Sequence, residues 1–354
     1  MIYPEKLIYK EIGKSLTIQS GKYHTNPMPR NSKRNTRKGT LGLRLPIIIL
    51  IIIAGLAFVV WKIGLDPISV INQKTATTIG NEPWTETGVV IPGDYADADV
   101  VDLGNGNFRM YYSATPESPG FQGQVYSSIS SNGINWTQEN GTRINFVTFP
   151  SIIKLPDGRF RMYFQDQQVI NSAISTDGLS WTKEQVTRVD TANTAGLTLT
   201  RVLAPTVINT GSEYLMVYAG AIDQPYTEEK VPNQETHPLL WATSADGLNF
   251  EQRGIALDSR NDVFKGWMDG PELVVWDNGS VRLYFWGYFG IYSSTFENGS
   301  FSEPVFVYYG PNFDENALFP PSPPGDPTLA KVEGAWNMYY GYFQKGIYRA
   351  VLNK

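Results

Sequence analysis

Residues Asp97 to Ser113 read DADVVDLGNGNFRMYYS. Apolar residues follow two acids, an Asn-Gly turn comes next, and an alternating aromatic stretch closes the segment; this is the pattern of an antiparallel hairpin. The pattern returns four times, as FPSIIKLPDGRFRMYFQ from Phe149, APTVINTGSEYLMVYAG from Ala204, GPELVVWDNGSVRLYFW from Gly270 and DPTLAKVEGAWNMYYGY from Asp326. The starts lie 52, 55, 66 and 56 residues apart, and each copy predicts a hairpin with one spare edge. Val100, Ile152, Val207, Leu273 and Leu329 hold matched places, so they are expected in five inner strands at similar depth.

Three copies are followed by a second echo: SSNGINW ending at Trp136, STDGLSW ending at Trp181 and SADGLNF ending at Phe250. The echo extends each hairpin to four strands. A repeat of ~50 residues built from four strands is the blade of a β-propeller, which closes into a ring and so removes long free edges. Five copies predict an all-β, five-bladed β-propeller over residues 84–354. The closing strand is read either near Trp84 to Val90 or in the C-terminal IYRAVL. Trp136 and Trp181 belong to the echo and are expected as wedges between blades. Arg109, Arg161 and Arg282 recur at one place in the second strand, which favours a structural role.

Upstream the sequence changes character. The chain has 354 residues and a net charge of −5, but through Arg44 ten Lys or Arg stand against two Glu, and beyond Lys62 18 basic residues stand against 32 acidic ones. The segment Leu45 to Trp61, LPIIILIIIAGLAFVVW, carries no charge, and a helix over 45–65 reaches the ~30 Å of a bilayer core. The basic flank puts the N-terminus inside. The expected organisation is therefore a disordered basic cytoplasmic tail (1–44), a transmembrane signal anchor (45–65), a stalk (66–83) and an extracellular domain. An acidic outer domain argues against nucleic acid as a partner. Without cysteine there is no disulfide or thiolate site, and no metal or other cofactor is expected.

The five repeats and the S-x-D-G-x-x-W echo resemble the five-bladed β-propeller glycoside hydrolases of families 32, 43, 117 and 130, from Trp84 to Lys354. The resemblance implies a carboxylate base or nucleophile at the start of blade one, where Asp97 stands with Asp99 two residues on. It also implies a general acid in an acid-Gly-Pro triplet of a later blade, here Asp269, Gly270 and Pro271, with Glu272 next. Blade five begins with Asp326 and Pro327. Where such families place a third carboxylate in blades two and three, this chain has Phe149 and Ala204.

Glycosidic cleavage needs one protonated and one ionised carboxyl on opposite faces of the sugar. Asp97 or Asp99 with Asp269 or Glu272 meets that requirement if blades one and four face each other across the axis. Alternation along a strand places Asp97 and Asp99 on one face. Catalytic roles are thus expected for Asp97, Asp269 and Glu272. Contacts to a carbohydrate are expected from Asp99, Asp326, Trp267, Trp286 and His237, the last in the long insertion from Ala221 to Leu240. Two functions remain open: a membrane-anchored glycosidase, or a non-catalytic surface propeller that binds glycan or protein.

Overall fold

The computed structural model describes residues 82–353, except 117, 193–195, 225, 227–234, 288, 310–323 and 343–344. The predicted tail, the span and stalk residues 66–81 lie outside the described residues. Among the described residues no helix is long and apolar enough to cross a membrane.

Five antiparallel sheets follow one another along the chain. Their inner strands are Tyr95–Gly104, Thr148–Lys154, Arg201–Asn209, Met268–Val275 and Gly325–Val332. Each pairs with the next strand in sequence, Asn107–Ala114, Phe160–Asp166, Tyr214–Ala221, Val281–Gly287 and Ala335–Tyr342. The five-bladed propeller read from the repeats is the observed fold. Blades one and four carry a fifth short strand, Ile144–Asn145 and Val305–Tyr308. The ring closes with both candidate segments at once: Gly346–Leu352 is the third strand of blade five, and Trp84–Pro92 pairs with it as the outermost. Glu82, assigned to the stalk from sequence, already belongs to the domain. It accepts hydrogen bonds from Arg282 Nη1 (2.6 Å) and the Tyr284 hydroxyl.

The echo motif forms the joints between blades. Tyr339, Tyr111 and Tyr163 each donate a hydroxyl hydrogen bond to the carbonyl of a turn glycine in the following blade, Gly133, Gly178 and Gly247 (2.7, 2.9 and 2.7 Å). A Cβ on any of these glycines would lie within 2.9 Å of the hydroxyl. The aromatic residue ending each echo meets the same tyrosine edge-on, Trp136 on Tyr339, Trp181 on Tyr111 and Phe250 on Tyr163. Arg109 and Arg161 form two-pronged pairs with Glu139 and Glu184, the geometry that suits a guanidinium. These arginines are structural.

The inner strands share a feature that alternation does not predict. At the matched position Asp97, Phe149, Ala204, Gly270 and Asp326 all have φ between 48° and 55°. The pairing register slips there in every blade, between Ala96 and Asp99, Thr148 and Ser151, Leu203 and Thr206, Asp269 and Glu272, and Gly325 and Thr328. Each inner strand therefore carries a β-bulge, and the residue after the left-handed one has no ladder partner. Proline is tolerated there because its missing N–H is not needed, and blades two to five have Pro150, Pro205, Pro271 and Pro327.

Past the bulge the next residue joins neighbouring blades. Ile152 N–H donates to Asp99 Oδ2 (2.9 Å), Val207 N–H to Ser151 Oγ (3.2 Å), Leu273 N–H to Thr206 Oγ1 (2.9 Å), Leu329 N–H to Glu272 Oε1 (3.5 Å) and Val100 N–H to Thr328 Oγ1 (3.2 Å). The five bonds close a ring around the axis. The apolar residues that donate are buried at 4–8% exposure in blades two to five, whereas Val100 is half-buried.

Thr206 holds two ring bonds, accepting from Leu273 and donating to Glu272 Oε2 (3.3 Å), at 2% exposure. Thr206→Val keeps the shape and orphans a buried N–H. It is expected to lower unfolding stability by ~1–3 kcal/mol, measured by denaturant titration.

Candidate active site

The left-handed bulge residues and the ring acceptors make two tiers at one end of the axis. The five left-handed residues, with Asp99, Ser151 and Glu272 of the ring, line a cavity of about 300 Å³, counted with its open mouth. Asp97, Asp99, Glu272 and Asp326 all border it, because inner strands that run in one direction bring their starts to one face. Asp269 stands one residue before the bulge of blade four and is 4% exposed, behind the rim rather than on it.

In the upper tier the carboxyls of Asp97 and Asp326 lie close enough to perturb each other. They come from blades one and five, neighbours in the ring, and Asp269 follows from blade four. Burial, followed by the nearby charge of Asp269, pushes the Asp97 carboxyl up to about 7; hydrogen bonds from Ser113 and the Phe149 backbone oppose the rise. Burial and the charges of Asp97 and Asp269 hold Asp326 well above the usual carboxylate range. Two close carboxyls that cannot both ionise share a proton. Asp326 also accepts a hydrogen bond from Trp286 Nε1 (2.9 Å). A Cβ on Gly270 would lie 2.2 Å from Asp326 Oδ1, so glycine in the fourth blade makes room for the fifth blade's acid.

The lower tier is the ring itself. Asp99 and Glu272 belong to it, and neither is part of the upper cluster. Asp97 and Asp99 do not share one face as simple alternation would have it, because the bulge lies between them. Asp97 turns toward Asp326, while Asp99 accepts from Ile152 of blade two. Glu272 is engaged by Thr328 Oγ1 (3.0 Å) and Thr206 Oγ1 (3.3 Å). Burial, and for Glu272 also the charge of Asp99, raises both groups, Asp99 to about 7.

His237 and the two tryptophans flank Asp269. His237 is 1% exposed, with Nδ1 3.1 Å from Asp269 Oδ2 and Nε2 3.3 Å from Glu235 Oε2. Trp267 stacks on the His237 ring (4.2 Å between centroids, 26° between planes) and meets Trp286 edge-on at 5.4 Å. Both tryptophans thus support the acids. Glu235, Arg201 and Ser113 have site contacts that sequence reading missed. The only local signal was the Glu-Thr-His spacing of residues 235–237, which puts both ends on one side of an extended segment. Among the described residues no group of three or more His, Cys, Asp or Glu is arranged to hold a metal ion.

No family model matches the sequence, and no curated protein matches it. Solved structures do share its architecture. One, described as showing that the family 130 mannoside phosphorylases contain glycoside hydrolases that target β-1,2-mannosidic linkages in Candida mannan, is 14% identical with a TM-score of 0.54, over 79% of this chain and 91% of that one. A glycosyl hydrolase from Bacteroides ovatus is 14% identical with a TM-score of 0.51, over 78% of this chain and 90% of that one. A thermostable family-43 glycoside hydrolase is 15% identical with a TM-score of 0.53, over 76% of this chain and 91% of that one. The fold is that of the five-bladed propeller glycoside hydrolases.

Stability should carry the signature of the lower tier. Unfolded carboxyls titrate near ~4, and Asp99 and Glu272 are raised in the fold. The contribution of Asp99 is therefore complete below about pH 4 and is lost as pH rises through about 7, and that of Glu272 falls with rising pH in the same sense. Asp99→Asn keeps an acceptor for the Ile152 N–H and removes one charge. Its melting temperature is expected to fall less than that of the unmodified protein between about pH 4 and pH 8. Parallel falls in the two proteins would assign the pH dependence to other groups.

Proposed function

We propose that the protein is a membrane-anchored, extracellular glycoside hydrolase-like protein acting on poly- or oligosaccharide. One observation carries the reading: Asp97 and Asp326, from neighbouring blades, border one mouth close together with raised proton affinities, and Asp269 of the next blade stands behind them. A carboxyl titrating near 7 is still partly protonated at neutral pH and so suits a general acid. The Asp97–Asp326 pair is therefore assigned as proton donor to the glycosidic oxygen. Asp269 is assigned as the ionised partner, because its oxygens face Nδ1 of the His237 ring and accept from the Gly270 N–H (2.8 Å). This reverses the roles that the family resemblance implies for Asp97 and Asp269. Glu272 serves the ring in this reading, and Trp286 orients Asp326. The similar structures described as glycoside hydrolases support carbohydrate as the substrate class. The uncharged run within 45–65 and its basic flank support the anchor and the orientation.

A second reading, a propeller that binds glycan without cleaving it, is favoured by the low exposure of Asp269 and the uncharged Phe149 and Ala204 on the rim. A panel of oligosaccharides with product detection separates the two. Asp97→Asn and Asp326→Asn are each expected to reduce turnover by ~10²- to 10⁴-fold with the unfolding midpoint at neutral pH not reduced. Glycan binding that releases no sugar and survives Asp97→Asn establishes the binding module instead. For the anchor, protease added to intact cells should digest the chain after about residue 66 and spare a short basic fragment. Recovery of the domain free in the medium, cut just after the span, would show a cleaved signal peptide.

A further inference from the structure

A second line of charges lies beside the Asp97–Asp326 pair. It starts at Arg201 on the inner strand of blade three, whose guanidinium grips Glu235 with two bonds, Nη1 to Oε1 at 2.7 Å and Nη2 to Oε2. Glu235 Oε2 faces His237 Nε2, and His237 Nδ1 faces Asp269 on blade four. The imidazole cannot easily swing out of this line. Trp267 stacks on it, and its backbone is bonded on both sides, His237 N–H to Gly266 O (2.8 Å) and Met268 N–H to His237 O (3.2 Å).

A neutral imidazole has one donor nitrogen and one acceptor nitrogen, whereas an imidazolium has two donors. Here both nitrogens face carboxylate oxygens, so a neutral ring would aim a lone pair at a carboxylate and only the charged ring satisfies both contacts. We infer that His237 is an imidazolium throughout the neutral pH range, clamped by Glu235 and Arg201, and that it is a positioning residue which fixes Asp269 as an oriented carboxylate beside the Asp97–Asp326 pair. The charged groups around it are Glu235 on its own segment and Asp269 from blade four, with Arg201 behind the first and Asp97 and Asp326 beyond the second. Burial opposes a charge on the ring, but hydrogen bonds to Asp269 and Glu235 outweigh it and hold the imidazole above its ordinary value. The His237 hydrogen bond, with help from Arg201, holds Glu235 down to about 2. The inference deepens the hydrolase reading, which needs one carboxylate kept ionised, although the clamp itself needs no sugar.

The chain has only two histidines, His24 and His237, so the ring nitrogens can be followed in the full-length protein. In long-range ¹H–¹⁵N spectra between about pH 5 and pH 9, the His237 ring, assigned by comparison with a His24→Gln variant, should keep both nitrogens protonated past about pH 8. Glu235→Gln retains an acceptor and removes the charge, and is expected to lower the proton affinity of His237 at least tenfold. If the protein cleaves a glycan, the same variant should move the acidic limb of kcat/KM to higher pH. A bare nitrogen on His237 at neutral pH, or a titration that Glu235→Gln leaves unmoved, overturns the inference. Failure to cleave any glycan removes the hydrolase reading and leaves the His237 titration as it is.

Discussion

The propeller is held at its axis by five backbone N–H groups that each reach a side chain of the neighbouring blade. An inner strand is an edge strand, and its unpaired N–H and C=O groups face the channel rather than another strand. The bulge turns one residue of each strand, Asp99, Ser151, Thr206, Glu272 or Thr328, so that its oxygen accepts from the blade beside it. Any short acceptor meets the requirement, which is why one geometry accommodates Asp, Ser, Thr and Glu. The carboxylic members bring buried charge as well, and their raised proton affinities follow from that position.

The same bulge makes the site. Left-handed backbone costs a non-glycine residue ~1 kcal/mol or more, and aspartate bears it better than most. Two of the five left-handed positions are Asp97 and Asp326, one is glycine, and Phe149 and Ala204 bear the strain with no polar group to offer. Strained positions held by surrounding structure are common where side chains must be aimed. Here the ring supplies the hold and the bulge supplies the aim.

The fold was legible because each blade carries its signal locally. Hairpin turn, aromatic strand and echo lie within ~50 residues, and periodicity reports them directly. The echo was legible for a further reason: the Gly-x-x-Trp turn must admit the tyrosine of the preceding blade, so the same residues recur. The bulge was hidden, since it breaks the alternation on which the facing of Asp97 and Asp99 was argued. Ring closure was undecided because both candidate segments are strands of the same blade. The roles of Glu235 and Arg201 depend on contacts that only the folded chain brings together, and neither residue belongs to a repeat. His237 was noticed as the one histidine after residue 65, but its place against Asp269, 32 residues further on, is a property of the closed ring.

The distribution of charge around the mouth follows from these constraints. Asp97, Asp326 and Asp269 occupy blades one, five and four in succession, while Phe149 and Ala204 leave blades two and three apolar at the same level. Three carboxyls this close cannot all ionise without a counter-charge. Two responses are visible: Asp97 and Asp326 lie close together with raised proton affinities, and Asp269 faces the His237 ring. The first favours a proton at the rim, and the second sets a basic ring beside the carboxyl behind it. The arrangement suits the acid/base chemistry proposed above. It arises here from which blade lends each carboxyl and from one histidine in an insertion, with no change to the repeat that builds the ring.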